Sequence, residues 1–529
     1  MNSRIPGRAW TARLVLVAVA ASCLLGLHVR VRAQSGAQQQ SGAQQIVDDA
    51  AAALGGKDRL LAVKTLLVEG GGHDFQVDQE FAYDELGSQF LAYQLRDYKR
   101  AYDLANGRGR FEQVREAQFT IFNGERPQKS IQALDGDIAF NIGDNGNATR
   151  VFQVAGRRVE YLRHPLTLIR ALLDPKATLS NVRTQGSERL VDLELDGTLL
   201  TVGFDANTKL PSRVVQLVDS ETLGDRPNEM RWSDYRTVSG VQLPTLFTWK
   251  TGRWTVGQIR VVRQTLDGEV GNLAAPPAVV AAARPNTPPS PPSSAVREIA
   301  KGIWEHSGTT HKSFIVEFSD HLVLVDAPNV ERTLAVMARA KELRPNKPVT
   351  TLILGHNHGD HTGGIRTAVA LGVTEIVTHR SNLTLLDETF KNPHTLNPDL
   401  YSKTANAKPP RITPIDDHGV LKDAMNTIEL YHLLDSSHSR TQLMIYYANS
   451  KMLTLADVYM PNDPRVFIPG EPLGHAPWVR NVLANIQYRK LQVDTMAPVH
   501  GDVTKFSQFL EEAIFMTAKP PAEVLAGTQ

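Results

Sequence analysis

The sequence predicts two folded domains in series: an N-terminal α+β domain built on a large, mostly antiparallel sheet, and a C-terminal layered α/β domain. Three observations carry this. The chain has 529 residues, too many for one ordinary hydrophobic core. Residues 274–294 hold seven of the 30 prolines. Proline fixes φ and removes a backbone donor, so this stretch is expected to be an extended spacer with no helix or central strand. Across it the apolar pattern changes, from short alternating runs to buried strands followed by amphipathic helices.

Composition narrows the function classes. With 42% hydrophobic and 21% charged residues, wholesale disorder is excluded. A net charge of +1 and a pI near 7.9 argue against nucleic acid or an anionic membrane as a chain-long partner. A single cysteine excludes both a disulfide framework and a thiolate zinc cluster.

In chain order, residues 1–33 read as a secretory signal peptide. Arg4, Arg8 and Arg13 precede an apolar run at 14–27, shorter than the roughly 20 residues that span a bilayer. Val31-Arg32-Ala33 supports cleavage after Ala33, giving a periplasmic or secreted product. Lipidation at Cys23 is less favoured, because Leu24-Leu25-Gly26-Leu27 continues the apolar run past it, and an uncleaved anchor is less favoured again. Residues 34–44, rich in Gln, Ser, Gly and Ala, are expected to be a flexible lead-in.

The N-terminal domain, 45–272, begins with a helix at 46–54 stopped by Gly55-Gly56, a short helix at 58–63 and a strand at 65–69. Phe90, Ala92, Gln94 and Arg96 then alternate with Leu91, Tyr93, Leu95 and Asp97. Further strands are expected at 119–122, 138–142, 191–195, 199–204, 214–217 and 254–262, with a helix at 165–173 opened by proline. His73 and His164 have no ligand partner at short spacing and read as ordinary surface or core residues.

After the linker at 273–295, the C-terminal domain (296–529) holds 13 of the 16 histidines. Strands are expected at 314–318 and 322–326, an amphipathic helix at 330–343, and a buried strand at 349–354. That last strand runs into Gly355-His356-Asn357-His358-Gly359-Asp360-His361-Thr362-Gly363-Gly364. Four ligand-type side chains in six residues serve no packing purpose. Imidazole and carboxylate suit divalent zinc, manganese or iron. His356 and His358 can face one ion while Asp360 and His361 turn to a second, and the glycines are expected to let the backbone bend around the cluster. His379 and His475 are weighed as pocket residues and assigned instead to structure or surface. Tyr446, Tyr459 and Arg440 are candidate substrate contacts. Trp304, Phe467 and Trp478 read as packing, and Ser439 beside a ligand histidine makes no triad.

Two resemblances extend this reading. Phe204-Asp205, residues 209–213, Trp232-Ser233-Asp234-Tyr235 and residues 240–244 resemble the strand ends of lipoprotein-carrier-type half-barrels, which implies a curved sheet around an acyl-binding concavity. The plainer alternative is an accessory sheet domain that packs on its neighbour. The histidine motif, placed after two strands and a helix, resembles the metallo-β-lactamase superfamily. That resemblance implies an αββα sandwich and three further ligands: His438 before a strand at 442–447, Asp457 closing a strand at 452–456, and His500 near the C-terminus. By it, His356, His358 and His438 hold a first metal, Asp360, His361 and His500 a second, and Asp457 bridges. Asp326 orients the metal loop. Ala327-Pro328, Ser437 and Arg440 depart from the usual pattern, which bears on loop shape and substrate preference.

The implied cofactors are two Zn²⁺, with iron or manganese as alternatives. The implied chemistry is attack by a metal-bridging hydroxide on an ester, lactone, thioester or related bond, with Asp360 managing a proton. The aspartate bridge resembles glyoxalase-II-like, lactonase-like and phosphodiesterase-like members more than dedicated β-lactamases. Two other readings stay open: a mononuclear-iron enzyme oxidising sulfur compounds, and a lipid-binding envelope protein with an accessory metal domain. Expected partners are a small-molecule or lipid-like substrate and, peripherally, the cell envelope.

Overall fold

A computed structural model describes residues 40–83, 91–118, 127–285, 295–308, 311–461 and 476–517. The signal segment, the strand expected at 119–122, Phe467 and His475 lie outside the described residues. Among the described residues, no helix is long and apolar enough to cross a membrane.

Helix 40–54 begins inside the expected lead-in. Its buried stripe is Ala43, Ile46, Val47, Ala50, Ala51 and Leu54, the spacing of one helical face. Ala43 supplies the first buried position, so the polar Gln-Ser-Gly composition before it belongs to the helix start. The second helix spans Lys57–Ala62. The described residues then contain one sheet of thirteen antiparallel strands. Thr65–Gln76 and Trp254–Leu266 lie side by side in the middle. From each, the sheet grows outward through consecutive hairpins, to Ala148–Val151 on one edge and Thr178–Gln185 on the other. The expected face split holds over 93–96, with Tyr93 and Leu95 buried and Gln94 and Arg96 exposed. It shifts at Asp97 (φ 52°), where pairing with the next strand slips between Arg96 and Lys99. The added residue of this bulge returns Tyr98 to the interior.

The first two helices, Pro165–Leu172 and one face of the sheet share a core. His164 caps that last helix, its Nδ1 accepting from the Leu166 N–H at 3.1 Å, and its Nε2 lies 3.0 Å from Gln264 Oε1. Burial pushes it down to about 4, so it is a neutral core residue. The proline-rich stretch departs from expectation. Pro277–Ala281 is a short helix whose Val279 packs with Ala133 and Phe140. Pro277 occupies its first turn, where the missing N–H has no intrahelical partner to lose.

In the C-terminal region, a seven-stranded sheet runs in the order Val296–Ala300, Ile303–Ser307, Lys312–Glu317, Leu322–Val325, Val349–Ile353, Glu375–His379, Arg411–Ile415. The last four strands are parallel. A six-stranded sheet holds Thr427–His432, Leu443–Tyr447, Met452–Thr454 and Thr495–Met496 in succession. Alternate side chains separate two cores. Phe314, Val316, Val323 and Val325 meet Ile428, Leu430, Leu443 and Ile445 of the other sheet. Ile315, Leu322 and Leu324 pack with Val336, Met337 and Ala340 of helix Val330–Leu343. The six-stranded sheet turns its other face to Val479, Val482 and Phe509 of helices Ala476–Tyr488 and Phe506–Thr517.

Candidate metal centre

The site is assembled from loops at the ends of central strands. Val349–Ile353 runs into the loop of His356, His358, Asp360 and His361, and its parallel neighbour Leu322–Val325 ends in Asp326. On the second sheet, His438 precedes Leu443–Tyr447, Asp457 follows Met452–Thr454 and His500 follows Thr495–Met496. Asp326 and Asp457 both adopt left-handed backbone, at φ 58° and 62°. Aspartate tolerates that conformation better than most residues.

The side chains converge on Asp457. Its Oδ2 lies 3.2 Å from His356 Nε2, 3.1 Å from His438 Nε2 and 3.9 Å from His358 Nδ1. Its Oδ1 faces the other way, 3.1 Å from His361 Nε2 and 2.5 Å from His500 Nε2. Asp360 Oδ2 lies 4.0 Å from His361 Nε2. Ligand atoms of His356, His358, His438 and Asp457 form one group within 4.8 Å, and those of Asp360, His361 and Asp457 a second. All seven residues singled out in the sequence are therefore brought together.

The donor set fits a metal. His356 Nδ1 and both ring nitrogens of His358 are buried without a hydrogen-bond partner, an arrangement that costs about 1–3 kcal/mol per group. Ligand atoms about 2.0–2.1 Å from a tetrahedral ion lie roughly 3.3 Å apart, close to the distances of His356 Nε2 and His438 Nε2 from Asp457 Oδ2. Burial, with the neighbouring His361, pushes His356 down to about 4, and burial with His356 and His438 takes His358 well below the ordinary range. Neutral imidazole is the form a metal takes up. Burial also opposes charge on His361, yet Asp457 and Asp326 outweigh it and hold that residue well above its usual value. Asp457 is held well below the carboxylate range, burial being outweighed by His361 and His500.

The surrounding contacts orient these groups. Asp326 accepts from the Gly355 N–H at 2.8 Å through Oδ1 and lies 3.1 Å from His361 Nδ1 through Oδ2. The glycines behave differently from expectation: none of residues 355, 359, 363 and 364 has positive φ. They are small because neighbours crowd them. A Cβ on Gly359 would meet Asp78 Cβ at 2.9 Å, one on Gly363 would meet Glu221 Oε2 at 2.7 Å, and one on Gly364 would meet the Asn329 carbonyl at 2.6 Å.

Two residues at the site escaped the sequence reading. His311 groups with His361 and His500, and its Nε2 lies 3.1 Å from Asp360 Oδ2. The usable signal was strand register. Phe314 pairs with Val325, which puts the residue just before that strand at the sheet end where Asp326 stands. Trp478, read as ordinary packing, lies edge-on to His438 with centroids 4.8 Å apart, and its indole N–H donates to Ser437 Oγ at 2.9 Å. The secondary candidates sort plainly. His379 caps a turn and packs on His432. The Tyr446 hydroxyl donates to the Gln492 carbonyl, and Tyr459 packs on Phe509. Trp304 is buried beneath Arg344. Ser439 donates to Asn357.

A histidine–aspartate centre at strand ends of two packed sheets defines the class. The family model of the metallo-beta-lactamase superfamily matches residues 307–500, so this part of the chain is a metallo-β-lactamase-superfamily region and carries that fold. A metallo-beta-lactamase from Pontibacter korlensis is 18% identical over 43% of this chain and 100% of its own length, at a TM-score of 0.33. One from Hirschia baltica is 18% identical over 42% and 97%, at 0.31. Rubredoxin oxygen:oxidoreductase from Desulfovibrio gigas is 14% identical over 43% of this chain and 63% of its own, at 0.33. No curated protein matches the chain.

Proposed function

We propose that the chain is an exported, metal-dependent hydrolase with a helix–sheet–sheet–helix catalytic domain that holds two divalent cations, zinc by preference. The carrying observation is the division of Asp457, with Oδ2 toward His356, His358 and His438 and Oδ1 toward His361 and His500. Asp360 completes the second group. When bound, such a pair supplies Lewis acidity and a water of near-neutral pKa for attack on an ester, lactone, thioester or related bond. The chain's own residues set the geometry. Asp326 fixes the His361 ring, Trp478 packs on His438, and Asp360, the most solvent-exposed of the set, accepts and returns a proton at its carboxylate.

The test is elemental analysis of the mature protein purified without added metal, followed by a hydrolysis screen over lactone, thioester, phosphodiester, sulfate-ester and lactam substrates. We expect about two metal ions per chain, as a two-metal centre requires, and loss of both metal and turnover in His358→Ala. Undiminished turnover in that variant would overturn the reading. One iron per chain would favour oxidative chemistry instead.

A further inference from the structure

We propose that Gln79, from the N-terminal domain, positions Asp360 for the second metal, so that docking of one domain completes the metal centre of the other. This rests on the two-cation reading above.

Segment 78–83 lies directly on the metal loops. The Gly359 N–H donates to the Asp78 carbonyl at 2.8 Å. The Asn357 side-chain amide donates to the Glu80 carbonyl at 2.7 Å. The Arg440 N–H donates to the Phe81 carbonyl at 2.8 Å. Three carbonyls within four residues are thus spent on the loops that carry His356–His361 and His438. Asn357 ties those loops to one another as well, its Oδ1 accepting from Ser439 Oγ at 2.6 Å and Thr441 Oγ1 at 2.9 Å. Asp78 is itself fixed by Arg226 at 2.8 Å. The crowding on Gly359 comes from this same domain, through Asp78, and Gly363 is crowded by Glu221 of that domain together with the Pro328 carbonyl of its own. A side chain at Gly359 would push the domains apart.

Within this strap, Gln79 Nε2 donates to Asp360 Oδ1 at 2.8 Å. The carboxylate can only accept, so the amide nitrogen is the atom that faces it. The contact matters because Asp360 is the least enclosed of the seven. Its side chain is 44% exposed, against 11% or less for the others. An exposed carboxylate has several rotamers open to it, and only one suits an ion beside His361. Gln79 on Oδ1 and His311 on Oδ2 select that one. A cavity of about 480 Å³ opens between the domains onto the same pair, so Asp360 is held in place without being sealed off. Partners that hydrogen-bond a metal-binding carboxylate typically contribute about 10–100-fold in metal affinity or activity.

The test uses the full mature chain as wild type, Gln79→Ala and Gln79→Met, the last keeping the length of the side chain without its donor. Each is stripped of metal and titrated with zinc against a chromophoric chelator. We expect two ions in wild type. Both variants should keep the tighter ion and lose about 10–100-fold in affinity for the other, with the metal-free melting temperature unchanged. Two equally tight ions in wild type and Gln79→Met would overturn the inference alone, as would a loss seen in Gln79→Ala but not in Gln79→Met. A wild type that takes up a single ion would overturn the two-cation reading, and this inference with it.

Discussion

His356 and His361 lie five residues apart on one loop, yet their surroundings drive them in opposite directions. His361 has a second carboxylate, Asp326, behind it, while His356 has only Asp457 and the competition of neighbouring imidazoles. Glu80, on the strap beneath the site, shows the same logic in an acid. Burial, aided by the Asp78 charge, raises it to about 7 from an ordinary value of 4.5. The folded state therefore favours the protonated form. That contribution to stability is complete below pH 4.5 and is lost as pH rises through about 7. In Glu80→Gln, which keeps the oxygen that accepts the Asp78 N–H, it should persist. Denaturant unfolding at pH 5 and pH 8 should show the variant gaining on wild type at the higher pH; parallel behaviour would count against a buried neutral Glu80. At this scale the sequence was legible where chemistry is dense. His356, His358, Asp360 and His361 stand too close together to be packing residues. Gln79, His311 and Trp478 have ordinary neighbours in sequence. Gln79 meets its partner across 281 positions, which no local pattern encodes.

The elements that frame the centre were read well when one face is strongly apolar. Helix Val330–Leu343 falls where its periodicity puts it, capped by Asn329, whose side chain accepts from the Arg332 N–H at 2.9 Å. Strand Val349–Ile353 is buried on both sides, as a central parallel strand should be. Outer strands such as Val296–Ala300 and His418–Lys422 were missed, because half-exposed edges carry weak alternation. The glycines were placed correctly but explained wrongly, since close approach leaves the same mark in a sequence as a tight turn. Gly364 shows the difference. It sits where helix Ile365–Ala370 crosses Val330–Leu343, against Thr333 and the Asn329 carbonyl. Gly364→Ala should cost about 1–3 kcal/mol by overpacking, read as a lower denaturation midpoint. A turn-forming glycine free of neighbours would cost less.

The described residues form two domains, one built on a single sheet and the other on two, joined at a largely polar seam beside the histidine–aspartate cluster. Away from the metal loops, Glu388 binds Arg253 at 2.6 Å and the Tyr83 hydroxyl at 2.5 Å, and Asp225 accepts from the Thr395 and Leu396 N–H groups at 2.8 and 3.1 Å. The seam was beyond the sequence: both domains were foreseeable singly, but the faces they share consist of unremarkable polar residues, backbone carbonyls and the small apolar cluster of Tyr83, Leu223 and Leu385. Metal should bear on the stability of this assembly. Ions held at 100 times their dissociation constant add about 2.7 kcal/mol to the folded state per independent site. Removing zinc with a chelator should therefore lower the melting temperature of the full chain, and an unchanged melting temperature would argue that the site is empty in the working protein.

The strap also changes what a substitution in the metal loop means. Gly359 and Gly363 flank a ligand pair, so a lesion there invites an explanation in coordination chemistry. The clearance of Gly359 is set by Asp78, and that of Gly363 by Glu221 together with the Pro328 carbonyl. The mutational tolerance of Gly359 is accordingly a property of the joined chain: a change harmless to the C-terminal half alone can be ruinous once its neighbour is attached. An alanine scan of the severed half would misjudge Gly359, and a library built to retune the site should vary residues 78 and 359 together.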